Sequence, residues 1–233
     1  MGVDMGVPLI VVVGADKGGV GKTTVARALL DYFKGQGMVV RAFDTESETA
    51  DGRGVLKRFH PAAAEIVDLT KSDGMVAVFD NLAACPVTLI DIRAGLLTPT
   101  LKVLGDLGLM EMARQGTARI AVLHVIGSSV ASFEEIKATA ATLSPGQHFV
   151  VKNHMNDAEF FAGIDAVAKD ALKASIVLEI PKLDGRATEH VDAASQSFVD
   201  FVADPAASFT MKGLVRTWLS KVFAQFEIAR LNR

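Results

Sequence analysis

The chain has 233 residues, half of them apolar, and its 24 basic and 27 acidic side chains leave a formal net charge of −3. That length and apolar content can bury a full hydrophobic core, while the charge balance argues against DNA binding through bulk charge and leaves only local basic patches for such a contact. A lone Cys85 excludes a disulfide framework and a CxxC metal site, and no apolar run is long enough for a membrane span or a secretory signal, so a soluble cytoplasmic protein is expected.

In chain order, seven short apolar runs read as strands: "LIVVV" (9–13), "MVVRAF" (38–43), "EIVDL" (65–69), "VTLID" (87–91), "RIAVLHVI" (119–126), "HFVVKN" (148–153) and "SIVLEI" (175–180). Their near-continuous apolar character suits strands covered on both faces. Between them, "TTVARALLDYFKGQG", "TPTLKVLGDLGLMEMARQG", "SSVASFEEIKATAATL" and "DAEFFAGIDAVAKDALKA" place apolar residues at three- and four-residue steps, with Gly35, Gly37 and Gly116 as helix stops. This alternation predicts an α/β fold, a doubly wound and mostly parallel sheet with helices on both faces. No repeat or linker divides it, so residues 1–233 are read as one domain. A C-terminal amphipathic helix is expected over 205–230, with Val215, Trp218, Leu219, Val222, Phe223 and Phe226 on one face and Arg216, Ser220, Lys221 and Glu227 opposite.

In such a sheet, ligands bind beyond the carboxyl ends of the strands. The segment after the first strand is "GADKGGVGKTT", Gly14 to Thr24. The strict phosphate-loop pattern G-x4-G-K-[ST] requires glycine at position 16, where this chain has Asp16, so the strict pattern fails by one residue. What remains, "KGGVGKTT", resembles the ParA/MinD family of P-loop ATPases, whose variant loop carries an early signature lysine.

The resemblance implies ATP and Mg²⁺ as ligands. The backbone of Gly18, Gly19, Val20 and Gly21 would cradle phosphate oxygens, helped by the positive end of the following helix. Lys22 would reach the β- and γ-phosphates, the Thr23 hydroxyl would ligate Mg²⁺, and Thr24 would lie near the α-phosphate. Lys17, as the signature lysine, would contact nucleotide across an ATP-dependent homodimer. "RAFDTESET" supplies Asp44 as the first switch acid and, with Thr23 and Asp91, as a residue that would hold Mg²⁺, with Glu46 where the family has the aspartate that orients the attacking water. The extra methylene of glutamate implies slow hydrolysis, since about 1 Å of misplacement can cost on the order of a hundredfold. Glu48 reads as a solvated loop acid. "VTLIDIRAG" supplies Asp91 as the Mg²⁺-holding strand-end acid and Gly95 as the second switch glycine. Arg93, where the family favours proline, can face phosphate, a partner or Asp91. The resemblance also assigns Asn153 to the adenine and Pro181 to the base pocket. A helix cap at Asn153 and a plain turn at Pro181 are the alternatives from the residues alone.

Within the family, "FDTESETA", "LHVI" and "EIPKLDGRATE" leading to helical "SFVDFVADPAASF" look most like the plasmid TraL/StbC-type ATPases of conjugation and maintenance. The basic cluster Arg53, Lys57 and Arg58 reads as a solvated helix face, with DNA or partner contact as its functional alternative. The C-terminal helix reads as docked on the sheet, with membrane targeting of the MinD type as its rival. His124 reads as a core residue, His154 supports no role, and one cysteine excludes the family's iron–sulfur branch. An unidentified protein partner is expected for a switch. Two other functions compete: a nucleotide-binding adaptor with negligible turnover, and an ATP-dependent ligase of the dethiobiotin synthetase type.

Overall fold

The computed structural model describes residues 6–46, 55–127, 130–143, 147–155, 161 and 175–231. Seven strands, β1 (Leu9–Gly14), β2 (Val40–Asp44), β3 (Ala64–Ile66), β4 (Val87–Asp91), β5 (Arg119–Ile126), β6 (His148–Asn153) and β7 (Ile176–Ile180), form one sheet in the order β3-β2-β4-β1-β5-β6-β7. Every neighbouring pair is parallel. All seven fall within or beside the apolar runs that predicted them.

The central strand explains why those runs are unbroken. Successive side chains of β1 point to opposite faces, so Leu9, Val11 and Val13 enter one core while Ile10 and Val12 enter the other. The first core lies under α1 (Lys22–Gly35) and the C-terminal helices; the second lies under α3 (Ser72–Phe79), α4 (Leu97–Asp106) and α5 (Leu109–Arg114). Of two short pieces, α2 (Val55–Phe59) sends Leu56 into the first core and a 3₁₀ turn at Leu82–Ala84 sends Leu82 into the second. The pattern over 98–116 predicted one helix. The chain instead forms two, because Gly108 takes φ 75° and restarts the helix at Leu109.

Beyond β5, α6 spans Val130–Thr142. The helical pattern over 157–174, apart from Phe161, lies outside the described residues, as do Glu48 and Arg53. Three helices close the chain: α7 (Gly185–Ala194), α8 (Phe198–Ala203) and α9 (Phe209–Ala229). The expected C-terminal helix starts four residues late, at Phe209, because the Ser208 hydroxyl caps it by accepting from the Met211 amide and Asp204–Ser208 form the turn before it. Its face of Val215, Trp218, Leu219, Val222 and Phe226 is buried in the first core, while Arg216, Ser220, Lys221 and Glu227 are exposed. Among the described residues no helix is long and apolar enough to cross a membrane.

Candidate functional site

β4, beside β1, and β2, beyond it, bring the acids of the sequence to one level. Val13 and Asp44 both register with Asp91, and Gly14 registers with His124. The loop from Ala15 to Gly21 therefore leaves β1 directly above the carboxyl ends of β4 and β2. Lys17, Gly18 and Gly19 are exposed, whereas Val20 is buried and Gly21, Thr23 and Thr24 are partly so. Gly21 takes φ 85° at the start of α1, and a Cβ there would collide with the Asn153 amide and approach the Met155 sulfur at 2.8 Å. Glycine is required on both counts.

Lys22 is 9% exposed and its ammonium donates to the Lys17 carbonyl at 3.1 Å. Burial lowers its pKa, against the raising charges of Asp91, Glu46, Glu135 and Asp16. Beneath it, burial pushes Asp91 up to about 7. A hydrogen bond with Thr23 and the Lys22 charge pull the other way, while Asp44 and Glu46 add repulsion. Asp91 Oδ1 is buried and, among the described residues, has no hydrogen-bond partner. An orphaned carboxylate oxygen next to a threonine hydroxyl is a hard-oxygen pair of the kind Mg²⁺ takes, with phosphate oxygens and water supplying the rest.

Asp44 is engaged differently. Its Oδ2 accepts the amides of Leu56 (2.7 Å) and Lys57 (3.1 Å), and its Oδ1 accepts the amide of Glu46 (2.9 Å). It thus caps α2 and fixes the turn carrying Glu46, so a metal would meet only its remaining lone pairs. Thr45, between the two acids and not singled out by the sequence, joins the segments that follow β2 and β4. Its hydroxyl donates to the Asp91 carbonyl (3.0 Å) and accepts from the Arg93 amide (2.8 Å). Gly95 follows at φ 82°.

On the other side of β1, the Asn153 amide nitrogen donates to the Val20 carbonyl at 2.9 Å. Asn153 therefore braces the glycine loop from below, a contact its position at a strand end did not predict. Asn153, Pro181, Thr24, Met155, Asp192 and Trp218 contribute to the wall of a cavity of about 350 Å³ beside the loop. The Trp218 indole N–H donates to the Pro181 carbonyl at 2.7 Å, so α9 holds that wall in place.

His124 is fully buried, as a core residue should be. Its Nε2 faces Glu135 Oε2 at 3.4 Å and its Nδ1 faces His148 Nε2 at 3.4 Å. Burial, with His124 beside it, lowers His148 to about 4. His154 contacts Glu179 at 2.7 Å. Cys85 is buried, with its thiol sulfur 3.3 Å from the Val39 and Val87 carbonyls.

No protein-family model and no curated protein matches the chain. Solved structures do. A nucleotide-binding protein in complex with ADP from Archaeoglobus fulgidus aligns at 19% identity and TM-score 0.52, over 82% of this chain and 88% of that one. A ParA family ATPase from Chlorobium tepidum aligns at 13% and 0.53, over 91% and 98%. The MinD cell division protein of Aquifex aeolicus aligns at 18% and 0.53, over 91% and 97%. The sheet described above is the fold these proteins share.

Proposed function

We propose that the protein is a Mg²⁺-dependent ATP-binding switch of the ParA/MinD type that dimerises on ATP and hydrolyses it slowly. The observation that carries this reading is the pairing of a buried Lys22 with the orphaned Asp91 oxygen directly under a glycine loop at the carboxyl edge of a parallel sheet. A lysine that donates to a backbone carbonyl, and a strand-end carboxylate with one oxygen unpartnered among the described residues, are suited to opposite parts of one ligand: the lysine to phosphate oxygens, the carboxylate to the ion those oxygens bring.

In this reading the amides of Gly18–Gly21 and Thr24 bind the phosphates, and Thr23 and Asp91 hold Mg²⁺, which neutralises the phosphate charge. Glu46, fixed through its amide by Asp44, orients the water that attacks the γ-phosphorus as ADP leaves. Asn153 and the Pro181 segment receive the adenine. Lys17, exposed in the single chain, reaches the phosphates of a second copy and adds positive charge in the transition state. The likeness of the sequence to TraL/StbC-type ATPases supports a role in plasmid conjugation, partition or positioning, in the cytoplasm and with a protein partner that reads the dimer. The engagement of both Asp44 oxygens by amides favours slow turnover, and for the same reason supports an adaptor with negligible turnover as the second reading.

Sedimentation velocity of wild type and Lys17→Ala, with Mg-ATP, Mg-ADP or no nucleotide, tests this while phosphate release is followed in parallel. The expected result is a dimer with ATP only, lost in Lys17→Ala, and slow phosphate release. A monomer that binds ATP under all conditions would overturn the dimer switch. A dimer without phosphate release would select the adaptor.

A further inference from the structure

The residue that breaks the strict phosphate-loop pattern is also the one that ties the loop to the helix after the second switch segment. Asp16 makes four hydrogen bonds. Its Oδ1 accepts the amides of Leu97 (3.0 Å) and Thr98 (3.2 Å), and its Oδ2 accepts the Thr98 hydroxyl (2.5 Å). Its own amide donates to Glu135 Oε2 at 3.2 Å, the oxygen that also faces His124.

These contacts give α4 a cap it cannot make for itself. The residue at its N-cap position is Leu96, which has no side-chain acceptor, and no side-chain cap forms there. The first amides of a helix need such an acceptor, and here it comes from a loop 81 residues earlier. The approach is close as well: a Cβ on Gly14 would lie 2.8 Å from Leu97 Cδ1. The segment between Asp91 and α4 is thus pinned at three points. The Ile92 amide donates to the Val13 carbonyl (2.8 Å), the Arg93 amide to the Thr45 hydroxyl (2.8 Å), and the start of α4 to Asp16. Gly95 lies between the second and third pins.

We infer that Asp16 is a positioning residue that couples the phosphate loop to α4, so that occupancy of the γ-phosphate subsite is passed to the second switch segment through its carboxylate. The inference rests on the nucleotide-switch reading above. Physically, the carboxylate belongs to the loop and its three donors belong to α4, so a shift of the loop at 16–17 must either carry the helix start with it or break the cap. A glycine at this position would leave the loop free to move alone. Coupling of this kind appears as a difference between two ligands, not as a uniform loss of affinity.

The test compares wild type with Asp16→Ala, Asp16→Asn and Thr98→Val, using the fluorescent N-methylanthraniloyl derivatives of ADP and ATPγS for affinity. The kcat and KM for ATP and amide exchange at 97–100 are measured alongside. In Asp16→Ala, exchange at Leu97 and Thr98 should rise at least tenfold. ADP affinity should stay within about twofold, while the preference for ATPγS over ADP and kcat should each fall about tenfold. Asp16→Asn keeps an acceptor for both amides and should recover most of the preference; Thr98→Val should show a partial loss. Faster exchange with an unchanged preference and kcat would reduce Asp16 to a simple cap and overturn the inference, as would equal weakening of both nucleotides. A wild-type protein that binds neither probe would instead overturn the nucleotide reading itself, and with it the coupling, before any variant is compared.

Discussion

Two buried polar clusters flank α1, and they differ in what covers them. At its N-terminus, Lys22 and Asp91 lie under a loop of glycines whose Lys17, Gly18 and Gly19 are exposed. One turn further along, Arg27, Asp31 and His60 are buried, with Arg27 under aromatic rings. The Arg27 guanidinium sits 3.3 Å from the Phe59 ring centroid and 4.3 Å from that of Phe198, and bonds Asp192 Oδ1 at 3.0 Å. Among the described residues both clusters hold atoms without a hydrogen-bond partner: Asp91 Oδ1 in the first, Arg27 Nε and Nη2, Asp31 Oδ1 and His60 Nε2 in the second. Burial opposes charge in both, lowering Arg27 to about 10 and His60 to about 4 and raising Asp31 to about 6. A perturbed, unsatisfied group is therefore an ambiguous sign of function. The cover decides it: a glycine loop can rearrange around a ligand, whereas two phenyl rings built into the core cannot do so without loss of packing.

That contrast breaks most easily at Lys22. Lys22→Ala should weaken ATP binding by on the order of a hundredfold, since it removes a charge-assisted bond to phosphate. The urea midpoint should move little. Isothermal titration and denaturation on the same sample check both, and a variant that binds ATP normally but unfolds early would put the first cluster in the same class as the second.

Arg27→Ala should do the reverse. Truncation empties the space between two rings, while the half-exposed Asp192 carboxylate is left in contact with water, so a loss of roughly 2 kcal/mol of stability is expected, mostly from packing. ATP affinity should change less than tenfold, because the guanidinium acts through packing. Urea denaturation and titration again separate the effects.

The most gradual effect is a pH slope. Asp31 has a folded pKa raised from 3.8 to about 6, so the folded state binds the extra proton between those values. Its contribution to stability is then fully present below about pH 4, is lost as pH rises through about 6, and is flat above. The full fall from this one group is about 3 kcal/mol at most. Asp31→Asn, which keeps an oxygen for the Val199 amide that Oδ2 now accepts at 3.2 Å, should remove this contribution from the slope. Melting curves from pH 4 to 8 compare the two proteins, and an unchanged slope would show that Asp31 does not titrate as its burial implies.

Much of the fold was legible because each strand buried on both faces must be apolar throughout, and each such run stood out between helical patterns. Helices α3 and α7 were not legible, and of α2 only the basic face carrying Lys57 and Arg58 was read. Helices α2 and α3 have five and eight residues, too short for a clear period, and α7 buries only Ala187 and Val191 on its face. In the candidate site, Lys22, Asp91 and the glycines were readable because they stand next to one another or end a strand. Thr45 and Glu135 were not, since a threonine between two acids and a glutamate in a helix carry no local pattern. A clue to Asp16 was present as the one residue out of place in the loop, but its meaning was not.

By itself the sequence determined the order of strands and helices, the phosphate-type loop after β1 and the acids at the ends of β2 and β4. Periodicity and spacing are local properties, so a chain can display them unfolded. Only the tertiary structure decided which of those groups have partners. Asp44 spends its oxygens on the amides of α2, Asp91 keeps one oxygen without a described partner, and Asp16 reaches across 81 residues to cap α4. A carboxylate's chemistry depends on which donors surround it in space, and that neighbourhood exists only once the sheet has brought β2, β4 and β1 side by side.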